Sequence, residues 1–190
     1  MNHIGTKTIE TNRLILRKFK IADSENMFKN WSSNSKVTKY LSWKAHNSIK
    51  DSEEIINMWI SNYDNNNVYN WVIELKETNE AIGSISVVKL EETNKSCEIG
   101  YCIGSEYWSK GITTEALQNI IDYLFREVGV NRICAKHDIE NMASGEVMKK
   151  CKMTYEGTLR EVQFRDDRFC SLSFYSILKS EWIKKSIFFK

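Results

Sequence analysis

Cys97-Glu98-Ile99-Gly100-Tyr101-Cys102-Ile103-Gly104-Ser105-Glu106-Tyr107-Trp108-Ser109-Lys110-Gly111-Ile112-Thr113-Thr114-Glu115-Ala116-Leu117 is the stretch whose reading decides the fold. Its first half reads as a strand, with β-branched and aromatic residues at Ile99, Tyr101 and Ile103. Its second half opens a helix, because from Leu117 onward apolar residues fall at Ile120, Ile121, Leu124, Phe125 and Val128. That is the three-and-four spacing of one helical face. Between the two lies Ser109-Lys110-Gly111-Ile112-Thr113, a short loop of mostly small residues. A strand that delivers a glycine-bearing loop to a helix N-terminus makes an anion site. The first N–H groups of the helix lack intrahelical partners, and its dipole favours negative charge. Lys110 adds a movable positive charge.

Working outward, the helix runs through Gly129 into a strand over Arg132 to His137. Strand, helix, strand in that order implies a parallel pair with a right-handed crossover. Upstream, Asn70 to Leu75, Ala81 to Leu90 and Ser96 to Ile103 read as a meander joined by short polar turns. Arg13 to Phe19 alternates as a first strand, and Asp23 is placed to cap a short helix carrying Met27, Phe28 and Trp31. A broken segment follows around Val37 to Leu41, then a longer helix starting at Ser48 or Asp51 and bearing Ile55, Ile56, Trp59 and Ile60. A second short helix spans Met142 to Lys150. The last two strands, Thr154 to Phe164 and Phe169 to Leu178, flank the turn Arg165-Asp166-Asp167-Arg168. No repeat or linker divides the chain, which reads as a single α+β domain over residues 1–190 with a mixed sheet.

A net charge of +2 argues against a dedicated nucleic-acid binder. No apolar run is long enough to span a bilayer, and the N-terminal residues carry no apolar signal core, so a cytoplasmic protein with no membrane partner is expected. Cys97, Cys102, Cys134, Cys151 and Cys170 form no Cys-x-x-Cys pair or zinc spacing and read as buried thiols in a reducing compartment. His3, His46 and His137 are too dispersed for a metal site, and no metal is expected.

Three segments together resemble the acetyl-CoA-binding motifs of the GNAT N-acetyltransferases. They are Glu98-Ile99-Gly100-Tyr101, Tyr107 to Ala116, and Asn141-Met142-Ala143-Ser144. Thr11 to Arg17, Tyr155 to Arg160 and Tyr175 to Leu178 extend the likeness, which is greatest to the Rim-type ribosomal-protein-alanine N-acetyltransferases. The resemblance implies a mostly antiparallel central sheet with helices on both faces and one parallel strand pair splayed around acetyl-CoA. It implies that Tyr101, Cys102 and Ile103 pair with the pantetheine arm, and that Ser109, Lys110, Gly111, Ile112, Thr113 and Thr114 bind the pyrophosphate. Asn141 would bond the pantetheine amide or hold the strand–helix turn. The reaction implied is direct attack of a primary amine, that of a protein N-terminus first, on the thioester, in a monomer or homodimer. A polyamine or amino sugar is the alternative acceptor, and a CoA-binding module without catalysis the alternative class.

An α-amine has a pKa of roughly 8, so the attacking amine must lose a proton and the leaving thiolate must be stabilised. Glu98, in an otherwise apolar strand where desolvation would raise its pKa, is the candidate base, through a water; its other reading is a carboxylate paired with a neighbouring Lys or Arg. The resemblance makes Ser144 the acid, against plain helix capping. Departures from the pattern stand at Thr113, for Gly or Ala; at Met148, where other branches carry an acid tyrosine; and at Lys152-Met153, for Gly-Phe. At the position of a catalytic carboxylate found in some Rim-type members stands Gln163, with Glu161 two residues away on the same face if the strand alternates regularly. Tyr40, Trp43 and His46 fall in the region that shapes the acceptor site in that family. Trp59 and Trp71 read as core, Glu115 as pointing away from the anion loop, and Trp182 to Lys190 as an amphipathic turn docked on the sheet.

Overall fold

Residues 1–187 are described in the computed structural model, residues 185–187 by their backbone alone. They form two units, His3–Val87 with Tyr101–Asn119, and Met1–Asn2 with Val88–Gly100 and the chain from Ile120 onward.

In the first unit, β1 (Ile9–Glu10), β2 (Leu14–Arg17), β3 (Asn70–Leu75) and β4 (Glu80–Glu91) lie side by side in that order, followed by β5 (Ser96–Ile103). The β1–β2, β2–β3 and β3–β4 ladders are antiparallel. Strand β2 is shorter than the alternation from Arg13 to Phe19 suggests: only Leu14 and Leu16 point fully inward, and the chain leaves the ladder after Arg17. Asp23 lies inside α1 (Asp23–Met27) instead of capping it. Its carboxylate accepts from the Lys20 N–H at 2.7 Å and takes both Arg17 Nη atoms at 2.8 Å. A wide turn, Phe28–Ser32, continues α1, and the broken segment holds a four-residue helix, α2 (Ser35–Thr38). Helix α3 (Ile49–Ser61) starts where a capping box is legible, with Ser48 at the N-cap and Asp51 reaching back to it. Phe19, Met27, Trp31, Val37, Ile56, Val72 and Ala81 form this unit's core. Trp59 packs on Phe19 with ring centroids 4.7 Å apart, and Trp71 is fully buried.

The second unit has the order β4-β5-β6-β8-β7, with β6 (Arg132–Asp138), β7 (Thr154–Arg165) and β8 (Arg168–Leu178). The β5–β6 ladder is parallel, as the strand–helix–strand order requires, whereas β6–β8 and β7–β8 are antiparallel. Its register pairs Ser96 with Arg132, Cys97 with Ile133 and Glu98 with Cys134, and stops there. Helix α4 (Ile112–Tyr123) begins in the first unit and ends in the second, where a wide turn, Leu124–Val128, carries it to Gly129. Helix α5 (Met142–Lys150) follows β6. Asp166 and Asp167, at φ +48° and +58°, make the two-residue hairpin turn between β7 and β8. Helix α6 (Lys179–Ile187) sets Trp182 against Phe125, ring centroids 5.6 Å apart, so its described part docks on the extension of α4. Phe188 to Lys190, the end of the expected amphipathic turn, lie outside the described residues.

Regular alternation fails on β7. Leu159 pairs with Leu172 and Gln163 with Cys170, so two extra residues bulge out of β7, and Glu161 takes φ +53°. Glu161 and Gln163 are therefore not successive residues of one regular strand face.

Candidate active site

The loop expected to bind an anion, Ser109 to Thr114, lies wholly in the first unit. A short 3-10 turn, Ser105–Tyr107, leads from β5 to Ser109, Lys110 and Gly111, and α4 starts at Ile112. Ser109 and Gly111 both take the left-handed conformation, at φ +61° and +73°. Gly111 meets that demand without the steric cost a Cβ would add. Such turns direct successive backbone N–H groups to one side, as anion-binding concavities require. Ile112 is buried, so this residue offers the loop its backbone only, whereas Ser109, Lys110 and Gly111 are exposed. Substituting Thr for a smaller residue at position 113 keeps its N–H group.

A brace unseen in the sequence holds this loop. Arg13 Nη1 donates to the Lys110 carbonyl at 2.9 Å, and Arg13 Nε donates to Glu115 Oε2 at 2.7 Å. Glu115 Oε1 also accepts from the Arg13 N–H at 2.9 Å and the Thr11 hydroxyl at 2.6 Å. Burial alone would push the Glu115 carboxyl up, but these bonds hold it below the ordinary carboxylate value. Both its oxygens are thus occupied by Thr11 and Arg13.

Of the three β5 residues expected along a pantetheine arm, Ile103 already gives its carbonyl to the Trp108 indole N–H, at 3.0 Å. Cys102 sets its sulfur 3.3 Å from the Ser84 hydroxyl, and burial pushes its thiol up. Burial likewise pushes Cys97 and Cys151 up to about 12. These are thiols at neutral pH, not nucleophiles.

Glu98, Asn141 and Ser144 belong to the second unit. Glu98 does not stand alone among apolar neighbours: Lys136, on the adjacent strand β6, places its ammonium 2.9 Å from Oε1. The Glu98 side chain is 17% exposed. Asn141 caps α5, its side chain accepting from the Ser144 N–H at 3.4 Å and its N–H donating to the Asp138 carbonyl at 2.7 Å. With the cap supplied by Asn141, Ser144 stands in the first turn, half-buried. Met148, at the position of a tyrosine in other branches, is buried in the core. The helix ends in a Schellman pattern: Met153 N–H donates to the Met148 carbonyl at 3.1 Å and Lys152 N–H to that of Lys149 at 2.8 Å. Lys152 therefore occupies, at φ +62°, the left-handed position where glycine is usual.

His137, read from the sequence as too isolated for a metal site, and Asp138 end β6. The His137 Nδ1 donates to the Asp138 carbonyl at 2.8 Å, and Nε2 is buried without a hydrogen-bond partner among the described residues. It faces Gly145, where a Cβ would sit 2.6 Å from it. Among the described residues no cluster of His, Cys, Asp and Glu is arranged to hold a metal ion, and no helix is long and apolar enough to cross a membrane.

The family model described as "Acetyltransferase (GNAT) domain" matches residues 13–154. The chain is 32% identical over 176 residues to a Bacillus licheniformis protein called "Uncharacterized N-acetyltransferase p20", covering 93% of this chain and 98% of that one. A solved GNAT-family acetyltransferase from Bacillus anthracis shares the fold at a TM-score of 0.82 and 28% identity, covering 92% of this chain and all of that one. More partial likenesses are to the ribosomal-protein-serine acetyltransferase of Escherichia coli, 30% over 51% of this chain and 54% of that one, and to the spermidine N(1)-acetyltransferase of Vibrio cholerae, 24% over 83% and 88%.

Proposed function

The chain belongs to the GNAT acetyltransferases and is an acetyl-CoA-dependent N-acetyltransferase, and from that premise we propose that its acceptor is the α-amine of a protein N-terminus. The observation carrying this choice is the 30% identity with the ribosomal-protein-serine acetyltransferase. In this reading residues 1–190 act as one catalytic domain in the cytoplasm, as monomer or homodimer.

Acetyl-CoA supplies an acyl group activated as a thioester. The Ser109-to-Thr114 loop binds its diphosphate through backbone N–H groups, with Lys110 as a movable counter-charge. Tyr101, Cys102 and Ile103 border the pantetheine arm, and Asn141 bonds its amide while capping α5. Glu98 accepts the proton of the attacking amine through a water, and Lys136, 2.9 Å away, fixes the direction of that carboxylate. As the amine nitrogen bonds the acyl carbon and the C–S bond breaks, Ser144 passes its hydroxyl proton to the departing sulfur and regains one, through solvent, from the acid form of Glu98. The thiolate needs such a donor because a negative charge in a poorly hydrated site is costly.

An acceptor screen tests this reading, with purified protein, acetyl-CoA, N-terminal peptides and small amines, reading thiol release. Release with peptides, slowed at least about tenfold in Glu98→Gln and in Ser144→Ala, is expected. Release only with spermidine or an amino sugar would overturn the acceptor. Rates that barely change in both variants would overturn the residue roles.

A further inference from the structure

We propose that Asp138 and Arg165 form a positioning pair that holds the first turn of α5, and with it Ser144, from the tip of the β7–β8 hairpin. This rests on the reading of Ser144 as the proton donor.

Asp138 ends β6 and is 4% exposed, yet each of its oxygens is used. Its carbonyl accepts from His137 Nδ1 at 2.8 Å and from the Asn141 N–H at 2.7 Å. Oδ1 accepts from the Glu140 N–H at 2.9 Å, and Oδ2 takes the Arg165 guanidinium in a short ion pair. Arg165 and Asp138 side chains are 9% and 2% exposed, and the same Nη2 reaches Cys170 Sγ at 3.6 Å. Burial would push the Asp138 carboxyl up, but the Glu140 N–H and Arg165 hold it below the ordinary carboxylate value, so it stands as a carboxylate at neutral pH.

The two neighbouring residues are tied to the same hairpin. Ile139 N–H donates to the Ser171 carbonyl at 3.1 Å, and Arg168 forks onto Glu140 at 2.6 and 3.0 Å. Asp138 and the two residues between β6 and the α5 cap, Ile139 and Glu140, are thus all anchored to β7–β8, and a continuous run of bonds leads from Arg165 through Asp138 and Asn141 to Ser144. A buried ion pair contributes little net stability over apolar side chains of the same volume. What it supplies is direction: a carboxylate with every acceptor engaged has one orientation, and the turn that follows inherits it. A proton donor must be held to within a fraction of an ångström, and displacement by about 1 Å costs on the order of a hundredfold in rate.

The test compares Arg165→Lys, which keeps the charge and loses the planar fork, in the parent and in Ser144→Ala. Turnover and CoA binding by calorimetry are measured in each. A roughly tenfold fall in kcat, with CoA affinity within about twofold, is expected in the parent, and no further fall in Ser144→Ala. An unchanged kcat, an equal fall in both backgrounds, or a parallel loss of CoA affinity would each overturn the positioning role while leaving the serine reading intact. If Ser144→Ala itself turns over normally, the serine reading fails and the pair's role falls with it. Should Arg165→Lys not fold, Asp138→Asn keeps an acceptor for the Glu140 N–H and weakens only the ion pair with Arg165. A fall of about threefold confined to the parent background supports the proposal, and no fall there overturns it.

Discussion

Gly145→Ala should destabilise the protein, although alanine is the better helix former. An alanine Cβ at position 145 would lie 2.6 Å from His137 Nε2 and 3.0 Å from Cε1, so the ring or the helix must yield by about 0.8 Å to restore ordinary contact. The ring has little freedom to yield. It is 8% exposed, tied through Nδ1 to the Asp138 carbonyl, and set against Tyr175 with centroids 5.7 Å apart. Overpacking of this kind costs about 1–3 kcal/mol, and a boxed-in ring puts the cost near the top of that range. Replacing glycine in a helix interior returns about 1 kcal/mol. The balance is a loss of about 1–2 kcal/mol, or roughly 4 °C in Tm for a chain of this size. Removing the ring reverses the sign: in a His137→Ala background the clash is gone, the propensity gain remains, and Gly145→Ala should stabilise by about 1 kcal/mol. Urea denaturation of the four proteins measures both steps, and the coupling between the sites should reach about 2–3 kcal/mol. Equal destabilisation in both backgrounds, or a more stable Gly145→Ala in the parent, would refute the packing argument.

The loop brace predicts that Arg13→Met weakens CoA binding about tenfold in calorimetry, because Lys110 and Glu115 lose the guanidinium linking them. Lys152→Gly should raise stability by about 1 kcal/mol in thermal denaturation, since glycine adopts the φ +62° of the α5 terminus without a Cβ penalty. Glu156, bonded to Arg132 and Ser176, is held from 4.5 down to about 2. A depressed carboxylate contributes stability above its unfolded value and loses it as pH falls through the folded one. Its side chain is 39% exposed, so Glu156→Gln should cost on the order of 1 kcal/mol at pH 6, with the gap to the parent closing by about pH 2 in urea titrations.

What could be read along the chain is what depends on neighbours a few residues apart. Asn70–Leu75, Ser96–Ile103 and Met142–Lys150 have the bounds that their periodicity implies, and Ser48 with Asp51 starts α3 as a capping box does. The Arg165-to-Arg168 turn and the parallel β5–β6 pair follow from equally local signals. The strand–loop–helix junction at Ser109–Thr114 was legible for the same reason, since it is set by local backbone pattern. Local pattern misplaced the Asp23 cap, because a nearby guanidinium, Arg17, competes for that carboxylate. It also misjudged Glu161, because a bulge cancels a period of two.

Long-range pairing lay beyond any pattern. Arg13 and Glu115 are 102 residues apart, and Arg165 reaches Asp138 only because β8 lies between β6 and β7. Glu98 is in the sequence, but whether it stands alone or beside Lys136 depends on the strand that pairs with β5 and on its register. The chain by itself determined the elements, the strand–loop–helix junction and the kind of chemistry, since these follow from backbone periodicity and side-chain type. Tertiary structure alone decided which charges meet, because a charge partner is chosen by packing and register, which no short window of sequence contains.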